Sequence, residues 1–148
     1  MSETACPLCQ PRNEHVLWQD AQLRVIRVDD PDYPGFCRVI LNRHVKEMTD
    51  LSPPERARLM QVVFGVEGAL RELLRPDKVN LAALGNQVPH LHWHVIPRFV
   101  DDKHFPDPLW AAPRRAGHAH SVDDTQLAHG IARHLGEPDR AFPSSGRD

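Results

Sequence analysis

One segment of the chain alternates imidazole and apolar side chains without a break: His90-Leu91-His92-Trp93-His94-Val95-Ile96. Because successive side chains of a β-strand point to opposite faces, a strand here would carry its three imidazoles on one face. Leu91, Trp93 and Val95 would pack on the other face. The segment therefore predicts a half-buried strand over His90–Ile96, which we expect Pro97 to end.

Three interpretations of this histidine row follow from the residues alone. The imidazoles could form the solvated polar face of an edge strand. Alternate histidines can also hold zinc and leave one coordination position open for water, as in hydrolytic zinc enzymes. Alternatively, one neutral imidazole attacks phosphorus while its neighbours orient it and neutralise the developing charge. The spacing does not choose between metal binding and nucleophilic catalysis.

The segments around this strand predict an α+β fold class, an antiparallel sheet of about five strands with one long helix packed on it. The other β-like runs are residues 15–18, 23–28, 36–41 and 78–84. The first two runs lie close enough to form a hairpin. An irregular segment follows the histidine row over 98–122.

The long helix has sequence signals at both ends. Ser52-Pro53-Pro54-Glu55 has the form of a capping box, with prolines in the first turn. Behind it, apolar side chains recur at helical spacing: Leu59, Val63, Val66, Leu70, Leu73 and Leu74. These signals predict a helix over Pro53–Leu74, closed by Pro76. A short C-terminal helix is predicted over Asp123–Leu135.

Composition limits the classes of protein to consider. The 148 residues, 41% hydrophobic and 26% charged, are typical of one soluble domain. A net charge of −2 offers no basic excess for a phosphate backbone, so we expect no nucleic-acid partner. No apolar run approaches the ~20 residues of a membrane span, so we expect no membrane partner. An N-terminus without a secretory signal and an odd number of cysteines favour a cytoplasmic protein.

The histidine row and its surroundings resemble the signature of the histidine triad (HIT) superfamily of nucleotidyl hydrolases and transferases, in particular a bacterial branch. The resemblance covers about residues 6–98 and includes Pro34-Gly35-Phe36, Asn42-Arg43-His44, Met48-Thr49-Asp50-Leu51-Ser52, Asn80, Gly85-Asn86-Gln87 and Pro97-Arg98. We expect residues 1–136 to form a single HIT-like domain and residues 137–148 to form a flexible C-terminal tail.

The resemblance implies a nucleotide hydrolase that cleaves at the α-phosphorus of nucleoside phosphoramidates or dinucleoside polyphosphates. It assigns the nucleophile to His92, which would form a covalent nucleotidyl-histidine intermediate that water then hydrolyses. His94 would contact the phosphate or the leaving-group oxygen. The family also implies a purine nucleotide substrate and a homodimer.

Nucleotide-binding residues follow from the same resemblance. Asn86 and Gln87 occupy positions where the family has polar side chains near the phosphates, and Asn80 fits a further phosphate or leaving-group contact. The family's ribose-binding position holds Val28 here. Asp29 or Asp30 would substitute for it after a shift of one or two residues, or would instead cap the loop.

The pair Cys6 and Cys9 allows more than one role. A thioredoxin-like redox motif requires a strand before the pair, and only five residues precede it. The resemblance implies a structural zinc site formed by Cys6, Cys9, His44 and His90, a Cys₂His₂ set. Alternatively, the two small thiols merely pack near the terminus.

Two further functions remain open from the sequence. One is a nucleotide-binding regulatory module with little catalysis, and the other is a zinc hydrolase that uses the triad itself as metal ligands. Arg98 and Trp110 approach the site from its far end or have structural or surface roles. Surface or loop positions are expected for the other histidines, His15, His104, His118, His120, His129 and His134.

Overall fold

A five-stranded antiparallel sheet supports the protein, for which a computed structural model describes residues 1–139. Residues 140–148 of the expected tail lie outside the described residues. The sheet has the order β1-β2-β3-β5-β4 and consists of β1 (His15–Gln19), β2 (Leu23–Arg27), β3 (Cys37–Leu41), β4 (Lys78–Ala82) and β5 (His92–Arg98).

The described chain also contains two α-helices, α1 (Pro53–Leu74) and α2 (Asp124–Leu135), and two 3₁₀ turns, Glu3–Ala5 and Met48–Asp50. The predicted α+β class is thereby confirmed, with one long and one short C-terminal helix. None of the helices in the described residues has the length and apolar character needed to cross a membrane.

Helix α1 begins and ends where its sequence signals place it. The Ser52 hydroxyl accepts a hydrogen bond from the Glu55 N–H at 3.4 Å, and the Glu55 carboxylate accepts one from the Ser52 N–H at 2.8 Å. This reciprocal capping box satisfies two of the N–H groups that a helix leaves free at its start. The helix ends at Leu74, and the next residue, Arg75, adopts a left-handed conformation (φ 47°) directly before Pro76.

The sheet separates an apolar face from a polar face. On the side of α1, strand residues such as Val25, Val39 and Val95 are fully buried in the main core, together with Leu59 and Val63 of the helix. The register of β3 with β5 pairs Arg38 with His94 and Ile40 with His92. These four side chains therefore lie on the opposite face, away from the helix.

Strand β5 differs from its predicted bounds. It begins at His92 rather than His90, and it continues through Pro97 to Arg98 instead of ending at Ile96. The last β3 partner of β5 is Cys37, which pairs with Val95, so Pro97 is paired with β4 alone. A proline is tolerated there because one side of the strand has no partner that needs its missing N–H.

Helix α2 packs closely on α1. A Cβ atom at Gly65 would overlap the side chain of Leu135, and one at Gly68 would overlap the ring of His134. The C-terminal end of α2 is also held by Trp18, whose indole N–H donates a hydrogen bond to the Gly136 carbonyl at 2.9 Å. The two glycines of α1 therefore permit the helix–helix contact.

A buried ion pair holds the segment that follows β5. Arg98 and Asp102 are each about 2% exposed, and the Arg98 Nε lies 2.8 Å from the carboxylate. The Tyr33 hydroxyl contacts Asp102 at 3.1 Å and the His104 Nδ1 at 2.7 Å. His104 thus occupies a loop, one of the two positions expected for it, but its side chain is buried rather than on the surface. Its ring completes a hydrogen-bond network that the irregular sequence around it did not reveal.

Asp102 collects most of the donors in this network. Burial alone would raise its pKa, but hydrogen bonds from Arg98 and from the N–H groups of Phe99, His104 and Phe105 hold the pKa well below its usual value. The ionised carboxylate is therefore stabilised in the folded state relative to the unfolded chain.

We expect Asp102→Asn to lower the free energy of unfolding at pH 7 by about 3 kcal/mol, because it leaves Arg98 buried without a counter-charge. The contribution of a carboxylate with a lowered pKa is present above the unfolded pKa of about 4 and is lost as the pH falls through the folded pKa. Urea unfolding from pH 7 to pH 3 should show the difference from wild type narrowing below about pH 4.

The matched control is Asp32→Asn, which removes an exposed carboxylate that lies 3.2 Å from Lys103. It should change the stability much less than Asp102→Asn at every pH. Equal losses for the two variants would contradict a special role for the buried pair.

Candidate active site

A cavity of about 440 Å³ opens on the polar face of the sheet. Strand β5 contributes His92 and His94, and β3 contributes Arg38. The loop between β4 and β5 contributes Asn86 and Gln87, and the segment after β5 contributes Trp110. The volume lies in the range of small-molecule binding sites.

His92 is fixed in one tautomer by its own backbone. Its Nδ1 lies 2.6 Å from the carbonyl oxygen of His90, and a carbonyl only accepts, so Nδ1 carries the proton. The lone pair is therefore on Nε2. Burial lowers the pKa of His92, the bond to His90 opposes this shift, and the charge of Arg38 adds to it. The ring is neutral at pH 7, with one unprotonated nitrogen.

His94 is the second imidazole of the cavity. Its ring lies edge-on to His92, with centroids 5.0 Å apart, and edge-on to Trp110 at 5.2 Å. Burial, followed by the charges of His92 and Arg38, lowers the pKa of His94 to about 4. Within the described residues its Nδ1 is buried without a hydrogen-bond partner. His94 is thus a neutral group with unused hydrogen-bonding capacity.

Arg38 is a cavity residue that the sequence analysis missed. It is half-buried on β3, directly across from His94. The signal was present, because an arginine interrupts the apolar run Phe36–Leu41 at a position that shares a face with Ile40. Burial lowers the pKa of Arg38, yet an arginine keeps its charge at neutral pH.

The structure brings some of the expected nucleotide-binding residues to the cavity and leaves others outside. Asn86 and Gln87 line it. Asn80 lies outside its lining, and its Oδ1 accepts a hydrogen bond from Arg98 at 2.7 Å. Asp30 caps its own loop by accepting from the Asp32 N–H at 3.0 Å. Asp29 is exposed and lines a neighbouring cavity of about 240 Å³.

The four side chains of the expected metal site lie together. The sequence pattern predicted that His90 shares a face of the strand with His92 and His94. His90 precedes β5, however, and its ring turns away from these two residues. His90 Nδ1 is 3.5 Å from Cys6 Sγ, 3.3 Å from Cys9 Sγ and 3.2 Å from His44 Nδ1. Cys9 Sγ lies 3.2 Å from His44 Nδ1.

This donor set fits a metal ion. The His90 Nε2 donates to the Leu41 carbonyl, so the lone pair on Nδ1 faces the thiols. A tetrahedral zinc ion separates nitrogen and sulfur ligands by roughly 3.3–3.8 Å, close to the four distances given above, and all four ligand atoms lie within 4.8 Å of one another. Within the described residues, these four are the only group of three or more potential ligands at such distances. The triad itself does not converge on a common point.

Two solved structures share this fold. A histidine triad protein from Bradyrhizobium japonicum has a TM-score of 0.67 and 30% sequence identity, over 83% of this chain and 91% of that one. A zinc-bound histidine triad family protein from Mycobacterium smegmatis has a TM-score of 0.62 and 23% identity, over 90% of this chain and 95% of that one. At the lower identity, the similarity concerns the fold alone.

Two curated relatives are similar in sequence. An AP-4-A phosphorylase from Mycobacterium tuberculosis is 33% identical over 81 residues, which are 51% of this chain and 42% of the relative. An asymmetrical bis(5′-nucleosyl)-tetraphosphatase from Schizosaccharomyces pombe is 33% identical over 73 residues, which are 46% of this chain and 40% of the relative. The chain thus spans less than half the length of either relative.

A family model, the HIT domain, matches residues 10–101, which is more than half of the chain. The matched residues include all five strands and helix α1. They also include both histidines of the cavity and Arg38. The chain therefore belongs to the HIT domain family.

Proposed function

We propose that this protein hydrolyses nucleotides at the α-phosphorus through a covalent bond to His92. The observation that carries this proposal is the orientation of the ring, whose Nδ1–H is held by the His90 carbonyl. The lone pair of Nε2 is thereby available for nucleophilic attack at neutral pH. The cavity provides polar side chains around this nitrogen, as the stabilisation of a transferring phosphoryl group requires.

In the first step, His92 Nε2 forms a bond to phosphorus as the bond to the leaving group breaks. The leaving group takes the bonding electron pair and a proton from water, and a nucleotidyl-histidine remains. In the second step, water attacks the same phosphorus and loses a proton, which neutralises the hydroxide left by the first step. The P–N bond returns its electron pair to Nε2, and a nucleoside monophosphate leaves. The His90 carbonyl holds the same tautomer throughout, so the ring does not have to rotate between steps.

Dinucleoside polyphosphates are the substrate class that we favour over nucleoside phosphoramidates. Both curated relatives carry names that refer to such substrates. In addition, the main cavity adjoins the smaller one, since Pro7, Leu8 and Arg38 line both. Two adjoining cavities suit a substrate with a nucleoside at each end of a phosphate chain. We propose that Asn86 and Gln87 bind its phosphates.

We further propose that Cys6, Cys9, His44 and His90 bind a structural zinc ion. The donor set supplies four protein ligands and none of them lines the main cavity, so the metal would contribute folding free energy rather than chemistry. This arrangement does not favour a zinc hydrolase, because the rings of His92 and His94 do not belong to the ligand group.

A homodimer is a further proposal. Strand β4 is the last strand of the sheet, so one of its edges offers free backbone groups to a second copy. Light scattering coupled to size exclusion should report twice the chain mass if this is correct.

We expect His92→Asn to lower kcat/KM for diadenosine tetraphosphate by at least about 1,000-fold, because the nucleophile is lost. Chromatography of the products should show AMP from the wild type in the absence of inorganic phosphate. Denaturation at alkaline pH during turnover should trap an AMP adduct by intact mass, and this adduct should be missing from the variant.

The matched control is His129→Asn on the exposed surface of α2, which should retain both the activity and the adduct. Tight binding of AMP without any turnover would indicate a binding module instead of a hydrolase. Products that form only when inorganic phosphate is added would indicate a phosphorylase.

We expect the purified protein to contain about one zinc ion per chain. Cys9→Ser should lower the zinc content measured by mass spectrometry and lower Tm by on the order of 10 °C. Cys37→Ala is the control, because Cys37 is a buried residue of β3 outside the ligand group. It should keep the metal, and an unchanged zinc content in Cys9→Ser would contradict the site.

A further inference from the structure

Three arginines lie on the polar face of the sheet, and two of them have carboxylate partners. Arg24 holds Glu14 through two hydrogen bonds of 2.8 and 2.9 Å. Arg98 holds Asp102 in the same two-fold manner, at 2.8 and 3.1 Å. Bidentate pairs of this kind are the usual way in which a protein stabilises a buried guanidinium.

Arg38 has no such partner. Within the described residues, no carboxylate oxygen lies within 4 Å of its guanidinium, and its Nε is buried without a hydrogen bond. Glu14 is close enough to influence the pKa of Arg38, but both of its oxygens are bound to Arg24. The charge of Arg38 is therefore free for another anion.

The position of Arg38 points to the cavity. It lies opposite His94 in the register of β3 with β5, and it lines the main cavity together with His92. Its guanidinium carbon is 5.9 Å from the ring centroid of Phe36, whose ring is also 5.6 Å from that of His94. The ring of Phe36 thus packs against both the guanidinium of Arg38 and the imidazole of His94.

Arg38 supplies the positive charge of the main cavity. Among the lining residues that the structure describes, Arg38 is the only arginine or lysine. A half-buried guanidinium without a counter-ion is costly, and an anionic ligand would remove this cost.

We propose that Arg38 binds the non-bridging oxygens of the phosphate group that His92 attacks. This role rests on the proposed function and adds a catalytic residue to it. The guanidinium fork matches two phosphate oxygens, and it would hold the phosphorus beside the Nε2 lone pair of His92. His94, on the opposite strand, would contact the same phosphate or the leaving group as a neutral hydrogen-bonding partner.

The test is calorimetric titration of the full chain with AMP and, separately, with adenosine. Arg38→Met keeps an apolar stem against Phe36 and removes the charge. We expect it to weaken AMP binding roughly 10- to 100-fold and to change adenosine binding less than about 3-fold. Arg38→Lys keeps the charge without the planar fork, so its AMP affinity should fall between those of Arg38→Met and the wild type.

Arg133→Met is the control for loss of one positive charge, because Arg133 is exposed on α2. It should bind both ligands as the wild type does. Thermal unfolding of each variant identifies a folding defect, and the ratio of AMP to adenosine affinity provides a second check within each variant.

Equal losses of AMP and adenosine affinity in Arg38→Met would overturn the proposal, because they would indicate a role in shaping the cavity. Unchanged affinities for both ligands would also overturn it. The titrations require no turnover, so they are separate from the proposed hydrolysis. If the wild type binds AMP through Arg38 but forms no adduct at His92, the result would support the phosphate-binding role of Arg38 and contradict the proposed function.

Discussion

The placement of β5 between β3 and β4 is the constraint on which the site depends. Because both neighbours are hydrogen-bonded to it, the strand cannot rotate, so Val95 remains in the core and Trp93 remains packed against it. Trp93 and Val95 thus determine where His92 and His94 point. A slip of one residue in the register would exchange the two sets, so that core packing and the orientation of the histidines are maintained together.

His90 connects two parts of the molecule through different atoms. Its ring faces Cys6, Cys9 and His44, whereas its backbone carbonyl accepts a hydrogen bond from His92 Nδ1–H. This is possible because the residue precedes the strand and is free of its alternation. The three histidines alternate along the sequence, but they do not share one site. His90 belongs to the cysteine–histidine group, and His92 and His94 line the cavity.

The regular parts of the fold were predictable from local signals. The capping box at Ser52 and the proline at 76 define α1, and alternation identifies the strands. Pro97 was misjudged because its tolerance depends on the neighbouring strand, which the sequence does not display. Arg38 was missed although its apolar surroundings marked it. The contact of Trp110 with His94 depends on the path of an irregular segment, and that path has no periodicity to predict it.

The segment that carries Trp110 is attached at both ends and is also held by hydrogen bonds within it, such as those from Arg115 to the carbonyls of Asp102 and Phe105. The Arg98–Asp102 pair fixes its start, and the packing of α2 on the glycines of α1 fixes the helix that follows. The imidazoles of His92 and His94 and the guanidinium of Arg38 lie on the sheet instead. Substitutions in this outer wall of the cavity can therefore change its shape with little effect on the positions of His92, His94 and Arg38.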